Sequence, residues 1–326
     1  MEPLSDLPQL IVLRTRLTYR LQVDAPVPEY KGGLLRGGFG YAFQRATCPQ
    51  TCWGATDRCS AEVICPYRWV FETPRPAGIE GLHDLNDIPR PFVINLPNDR
   101  RTLIERGESL EFGLTIIGRG IDYVPFFLFG FNRLGEIGLG VRRATATLER
   151  VSALEGWHAD GPTLYANGQA LMNDTALPLL DTAAIHAQAA ALPSDIRLTL
   201  RTPLRIKARG AYLTQIEPAA LMRAICWRLQ ALTMFHGPTS WHADYRPLIA
   251  AAATLSVRDA RVHWEDWERI SDHGGNRRRM TLGGIVGSAV IRDVPVELRT
   301  LLLMGSLIHV GKACVFGHGD YRLDPA

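Results

Sequence analysis

Apolar and polar residues alternate through "LIVLRTRLTYRLQV" (10–23), the pattern of a strand with one face buried. The alternation returns in "SLEFGLTIIG" (109–118), "VRRATATLERV" (141–151) and "DIRLTLRTPLRIK" (195–207). Two later runs, 253–270 and 279–292, read as strands joined through "SDHGGNRR". Helical spacing takes over in "GGLLRGGFGYAFQRAT" (32–47), "YVPFFLFGFNRL" (123–134) and "EPAALMRAICWRLQALTMF" (217–235). A last helix is predicted over 295–309 with Pro295 in its first turn, and "YRL" (321–323) closes the chain as a short strand.

In order, these elements give β-α-β-β-α-β twice, the sequence of a ferredoxin-like (RRM-like) domain. The expected class is therefore α+β with two such domains in tandem, 1–152 and 194–326. A linker is expected at 153–193, where glycine, alanine and polar residues dominate, and a cysteine-rich insertion at 48–65. An internal duplication is the economical explanation. Both second helices run into glycine-spaced loops, with Gly135, Gly138 and Gly140 in one half and Gly311, Gly317 and Gly319 in the other.

Glycine is also dense inside the first helix. Gly37, Gly38 and Gly40 would each cost about 1 kcal/mol against alanine there. Leu35, Phe39, Phe43 and Ala46 share one side, while Arg36, Gly40, Tyr41 and Gln44 share another. The glycines serve either tight packing on a neighbouring helix or close approach of a nucleic-acid backbone.

The 326 residues, with 46% hydrophobic content and a mean hydropathy near zero, suit a water-soluble chain with two cores. No apolar run is bilayer-long and "MEPLSDLPQL" lacks a signal-peptide pattern, so a cytoplasmic protein is expected, with no membrane partner. The net charge of +3 is mild, and any polyanion must be held by local patches. The basic residues are 33 arginines and only three lysines, Lys31, Lys207 and Lys312. Arginine suits bidentate phosphate contacts, although genome base composition gives the same bias.

Two ferredoxin-like halves, "GLLRGGFGYAF", "PYRWVFETPRP" and above all "HVGKACVFGHGDY" near the end resemble a CRISPR-associated repeat-processing endoribonuclease of the RAMP superfamily. The resemblance spans most of the chain outside the linker. It implies binding of a CRISPR repeat RNA, and metal-independent cleavage in which a 2′-hydroxyl attacks the adjacent phosphate. The products would be a 2′,3′-cyclic phosphate and a 5′-hydroxyl, so pre-crRNA matures into guide RNA, with a CRISPR effector complex as a further partner. No catalytic cofactor is implied. The sequence departs from family members that carry a histidine on or near the first helix, because residues 32–47 hold none.

That chemistry needs a base, an acid and positive charge beside the phosphorane. His309 and Lys312, three apart at a helix end, are the first choice, with Tyr41 on the first helix as a substitute proton carrier. The alternative for the pair is a capping histidine and a solvated lysine. His236 and His242, in "FHGPTSWHADYRP", form the rival constellation.

Expected RNA-binding residues are Arg36 and the line Arg205, Lys207 and Arg209, which share a strand face. Arg277, Arg278 and Arg279 in "HGGNRRR" are added, with an idle solvated turn as the alternative. Gly311, Gly317, His318 and Gly319 complete the set as a phosphate cradle. Cys48, Cys52, Cys59 and Cys65 could hold a structural zinc, although C-x3-C-x6-C-x5-C is not a paired knuckle and plain buried thiols are the alternative. Two rival functions remain. One is a non-catalytic RAMP subunit that holds crRNA. The other, a nucleotide-cofactor enzyme, is disfavoured because neither G-x-G-x-x-G nor G-x4-G-K-[ST] occurs.

Overall fold

A computed structural model describes residues 7–48, 65–73, 85, 88–96, 99–157, 159–171, 176–273 and 276–326. The chain divides into two compact units. The N-terminal unit comprises Ile11–Leu180 with Ala231–Thr239, and the C-terminal unit Met1–Leu10, Asp181–Gln230 and Ser240–Ala326. No helix among the described residues is long and apolar enough to cross a membrane.

The N-terminal unit runs β1 (Ile11–Leu21), β2 (Ala25–Pro26), α1 (Gly32–Thr47), α2 (Pro66–Phe71), β3 (Phe92–Asn95), β4 (Leu103–Ile104), β5 (Ser109–Ile117), α3 (Val124–Ile137), β6 (Ala146–Glu155), β7 (Ala159–Ala166), β8 (Gln169–Ala170) and β9 (Leu179–Asp181). Its sheet has the order β3-β5-β1-β6-β7-β8, with β9 also paired to β1. Numbered as the four strands of one β-α-β-β-α-β repeat, β3-β5-β1-β6 is 2-3-1-4, all antiparallel, as a ferredoxin-like domain requires. Leu13, Leu17, Tyr19 and Leu21 alternate inward on β1 beneath α1 and α3. Phe39 stacks on Phe131 with ring centroids 4.0 Å apart, and Phe71, Phe92 and Phe127 crowd around it.

This packing explains Gly38 of α1. A Cβ on Gly38 would stand 2.8 Å from Leu134 of α3, and one on Gly130 would stand 2.9 Å from Phe43. Of the two readings for Gly38, close helix packing is the one realised. Gly37 faces open space.

The C-terminal unit runs α4 (Thr182–Ala191), β10 (Ile196–Leu204), β11 (Lys207–Ala208), β12 (Ala211–Tyr212), α5 (Pro218–His236, its last residues grouping with the N-terminal unit), α6 (Arg246–Ala253), β13 (Val257–Glu265), β14 (Glu268–His273), β15 (Asn276–Thr281), β16 (Gly284–Ile291), α7 (Val296–Ile308) and β17 (Tyr321–Pro325). The sheet order β13-β16-β10-β17 is again 2-3-1-4 and antiparallel. Two details differ from the sequence pattern. β14 and β15 leave the sheet as a separate two-stranded ribbon. The span 153–193, expected as linker, carries the end of β6, then β7, β8, β9 and α4. Asp181 caps α4 by accepting from Ala184 N, and His186 meets Thr300 of α7 at 3.0 Å.

Candidate functional site

The glycine-rich stretch after α7 folds back on its own backbone. Lys312 N donates to Arg205 O, Gly319 N to Pro203 O, and Val310 N to Gly319 O, at 2.9, 3.0 and 3.1 Å. Gly311 (φ 93°) and Gly319 (φ 72°) occupy conformations that favour glycine. A Cβ on Gly311 would stand 2.6 Å from Arg205 O, and one on Gly319 would run into Val310 O. The bare backbone is therefore required where the turn zips onto the end of β10. Gly317, His318 and Gly319 are buried, which corrects their assignment as an RNA-facing cradle. Gly311 alone reaches a surface pocket.

His309 requires a second correction. It ends α7 at φ 57° with its side chain fully buried, and its Nε2 lies 4.0 Å from Asp320 Oδ1. Burial pulls its pKa down to about 4, and the charges of Arg228 and Arg201 add to that against the opposing pull of Asp320. A neutral, enclosed imidazole cannot meet a substrate, whereas Lys312 three residues later is exposed. His318 is held likewise, with Nε2 donating to Leu282 O at 2.9 Å and its ring against Trp267. Burial lowers its pKa to about 4 as well. In the rival pair His236 is buried, donating to Pro89 O at 2.7 Å, and His242 is exposed.

What the turn does build lies on its outer side. Residues 205–209, which follow β10 and include β11, together with Glu217, the exposed face of α5 and Gly311–Lys312 line a pocket of about 420 Å³. Arg205 lays its guanidinium over the Tyr212 ring, 3.9 Å from the centroid, while Nη1 donates to Gly283 O at 2.6 Å. Lys312 Nζ stands 5.9 Å from the same ring. Desolvation pushes the Tyr212 phenol up, but hydrogen bonding from Arg205 and the charges of Arg205, Lys312 and Lys207 together bring it below its ordinary value. Six cations line the pocket against one carboxylate, Glu217, which is tied to Arg209 at 2.8 Å.

The expected line Arg205, Lys207 and Arg209 thus meets Lys312 and Gly311 at one pocket. The sequence reading missed Tyr212, Arg223, Trp227 and Arg228. The last three hide in an apolar helix, and spacing of three from Ala220 to Arg223 and of four from Arg223 to Trp227 was the available signal.

The other expected residues fall on other elements. Arg277, Arg278 and Arg279 fall on β15, opposite Asp272, Ser271 and Ile270 of β14. Arg36 lays its guanidinium 4.7 Å over Phe71, and Tyr41 is exposed on α1 beneath Arg45. Cys48 is buried and Cys65 half-buried, while Cys52 and Cys59 lie outside the described residues. Among the described residues no group of three or more metal-ligating side chains occurs.

Residues 198–321 match the model of the CRISPR-associated endoribonuclease Cas6, and residues 7–177 match the N-terminal domain model AF_1859_N. An uncharacterized protein of Archaeoglobus fulgidus is 25% identical over 318 residues, covering 95% of this chain and 97% of its own. Among solved structures, a Cas6 product complex aligns with a TM-score of 0.53 at 17% identity, over 98% of this chain and 100% of the other. A chain of a partial Cas6-RT-Cas1–Cas2 complex aligns with a TM-score of 0.58 at 14% identity, over 97% of this chain. This chain spans 46% of that longer polypeptide. The structural likenesses share the tandem ferredoxin-like fold, and the segment that matches the Cas6 model, residues 198–321, falls on the unit that carries the basic pocket.

Proposed function

We propose that the protein binds a CRISPR repeat transcript and cuts it without a metal ion, maturing pre-crRNA into guide RNA. The reading is carried by one observation: within the segment that matches Cas6, a pocket gathers six cations with a single carboxylate to offset them. In the proposed reaction the 2′-oxygen forms a bond to the adjacent phosphorus and the bond to the 5′-oxygen breaks. The proton leaves the 2′-hydroxyl for a base, and the departing 5′-oxygen receives one. The products are a 2′,3′-cyclic phosphate and a 5′-hydroxyl.

Lys312 and Arg205 supply positive charge at the phosphorane, where fixed charge is most effective. Tyr212, the titratable group between them, is the proposed proton carrier. Tyr41 on α1 is a second phenol to test independently. The buried His309 has no part in the scheme. A zinc on Cys48, Cys52, Cys59 and Cys65 is proposed only as a structural element, and elemental analysis should then find about one equivalent.

The deciding experiment is single-turnover cleavage of repeat RNA in EDTA, with the ends of the products analysed. Lys312→Ala and Tyr212→Phe should each slow the cut by about 10²-fold or more. Tight binding of repeat RNA with no cut would instead favour a non-catalytic RAMP subunit that holds crRNA. The burial of His236, His309 and His318 is the observation on the side of that second reading.

A further inference from the structure

Helix α5 has two faces of different kind. Leu221, Met222, Ile225, Cys226 and Leu229 are buried. Ala220, Arg223, Ala224 and Trp227, spaced as one helical stripe, instead form the wall of the basic pocket. Two of them are too small to fill the space in front of them. Trp227 remains 43% exposed there, a large aromatic surface that the core does not use.

The floor contains an uncompensated charge. Arg228 is only 8% exposed, its Nε donates to Ile308 O at 3.0 Å, and its Nη2 is buried with no hydrogen-bond partner. The nearby carboxylate, Asp320, is held by Arg201, and Glu217 is held by Arg209. A buried guanidinium with no carboxylate is unfavourable unless an anion balances it. The opening beside it is lined by Arg223, Lys207 and Lys312, so the anion enters from the pocket.

We infer that this pocket seats one unpaired nucleotide of an RNA strand, with the phosphate among Arg223, Lys312 and the field of Arg228, and the base flat against Trp227 and the alanine wall. The inference rests on the reading that the chain binds repeat RNA, and adds which part of the RNA this site takes. A space of about 420 Å³ matches a small-molecule site and admits one nucleotide, not a duplex. Unpaired bases splayed onto aromatic side chains are the usual target where proteins read single-stranded RNA.

The test compares an unstructured eight-nucleotide RNA, a blunt RNA hairpin and free AMP as probes on the full chain. Arg228 is buried, and its replacement risks misfolding. Trp227→Ala and Ala224→Trp, which remove the stacking face and fill the space, carry the test instead, with thermal melting as the folding control. Both should weaken the single strand by about tenfold or more and the hairpin by less than about threefold. A 2-aminopurine in the single strand should change fluorescence on the wild type and not on Trp227→Ala. Single-strand affinity within about twofold of wild type in both well-folded variants would overturn the inference. So would failure of the wild type to bind the strand, or AMP binding as tightly as the strand, which would mark a free-nucleotide site. Cleavage of repeat RNA is read in a separate assay, so loss of the nuclease reading and loss of the nucleotide seat are distinguishable.

Discussion

Arg201 Nη2 donates to both carboxylate oxygens of Asp320, at 2.8 and 2.7 Å, and so fastens the glycine-rich turn to β10. Asp320 is 1% exposed while the Arg201 side chain is 50% exposed, so the pair is anchored on one side and wet on the other. Its backbone is tied too, since Asp320 O accepts from Arg201 N and Asp320 N donates to Thr202 Oγ1. Arg201→Ala leaves a buried carboxylate without its cation. It should cost about 1–3 kcal/mol in urea unfolding, toward the low end because water screens the exposed guanidinium. A double-mutant cycle with Asp320→Asn should recover part of that loss. Additive effects would mean the clamp holds nothing.

Two of the buried histidines predict an acid limb in stability. His309 and His318 have folded pKa values of about 4, below the ordinary value of 6.5, because burial penalises the imidazolium. Between these values the unfolded chain binds the extra protons, so stability is complete above about pH 6.5 and falls as pH drops toward 4. The expected slope is about 1.4 kcal/mol per pH unit for each histidine. Asp99, Asp195 and Asp244 are held below 3.8 and titrate under this window. Urea unfolding at several pH values should therefore show the slope, and His318→Gln should remove about half of it. A flat profile from pH 6.5 to 4.5 would mean that neither ring is buried neutral.

Gly319 and Gly210 separate two reasons for glycine. Both have positive φ, 72° and 85°, but only at Gly319 would a Cβ meet backbone, that of Val310. Gly210→Ala should cost about 1 kcal/mol from conformation alone. Gly319→Ala should cost about 2–3 kcal/mol or more, because the turn must also open. Equal melting shifts for the two would contradict the close fit of the turn on itself.

Long periodic segments were legible in the sequence. α1 starts and stops where "GGLLRGGFGYAFQRAT" does, and both four-strand arrangements follow from the element order. Two kinds of feature were not. The span 153–193 reads as linker because "ADGPTLYANGQ" is rich in turn formers and "TAAIHAQAAA" has no marked apolar stripe, yet a partly exposed strand and a capped helix form there. The depth of His309 was also hidden. A histidine at a helix end is exposed or enclosed depending on the next turn, and here Gly311 and Gly319 close that turn over it through contacts with Pro203 and Arg205. The pocket was half visible: Arg205, Lys207 and Lys312 stand out in any arginine-rich chain, while Trp227 and Arg228 look like ordinary members of an apolar helix.

The ribbon and the pocket should contribute differently to RNA binding. Arg277, Arg278 and Arg279 follow one another along β15. If all three neutralise phosphates, replacing them with alanine should make the slope of log K against log salt shallower by about 2–3. Lys207→Ala, one cation of the pocket, should reduce it by only about 0.7–0.9. Cleavage of bound RNA should survive the triple substitution, because contacts of this kind position the strand and carry no chemistry. The measurement is repeat-RNA affinity from about 50 to 300 mM salt, followed by single-turnover cutting at saturating protein. A shift of only one unit would mean that one of the three arginines meets a phosphate. An unchanged slope would leave "NRRR" a solvated turn and put the whole electrostatic footprint of this unit on the pocket side.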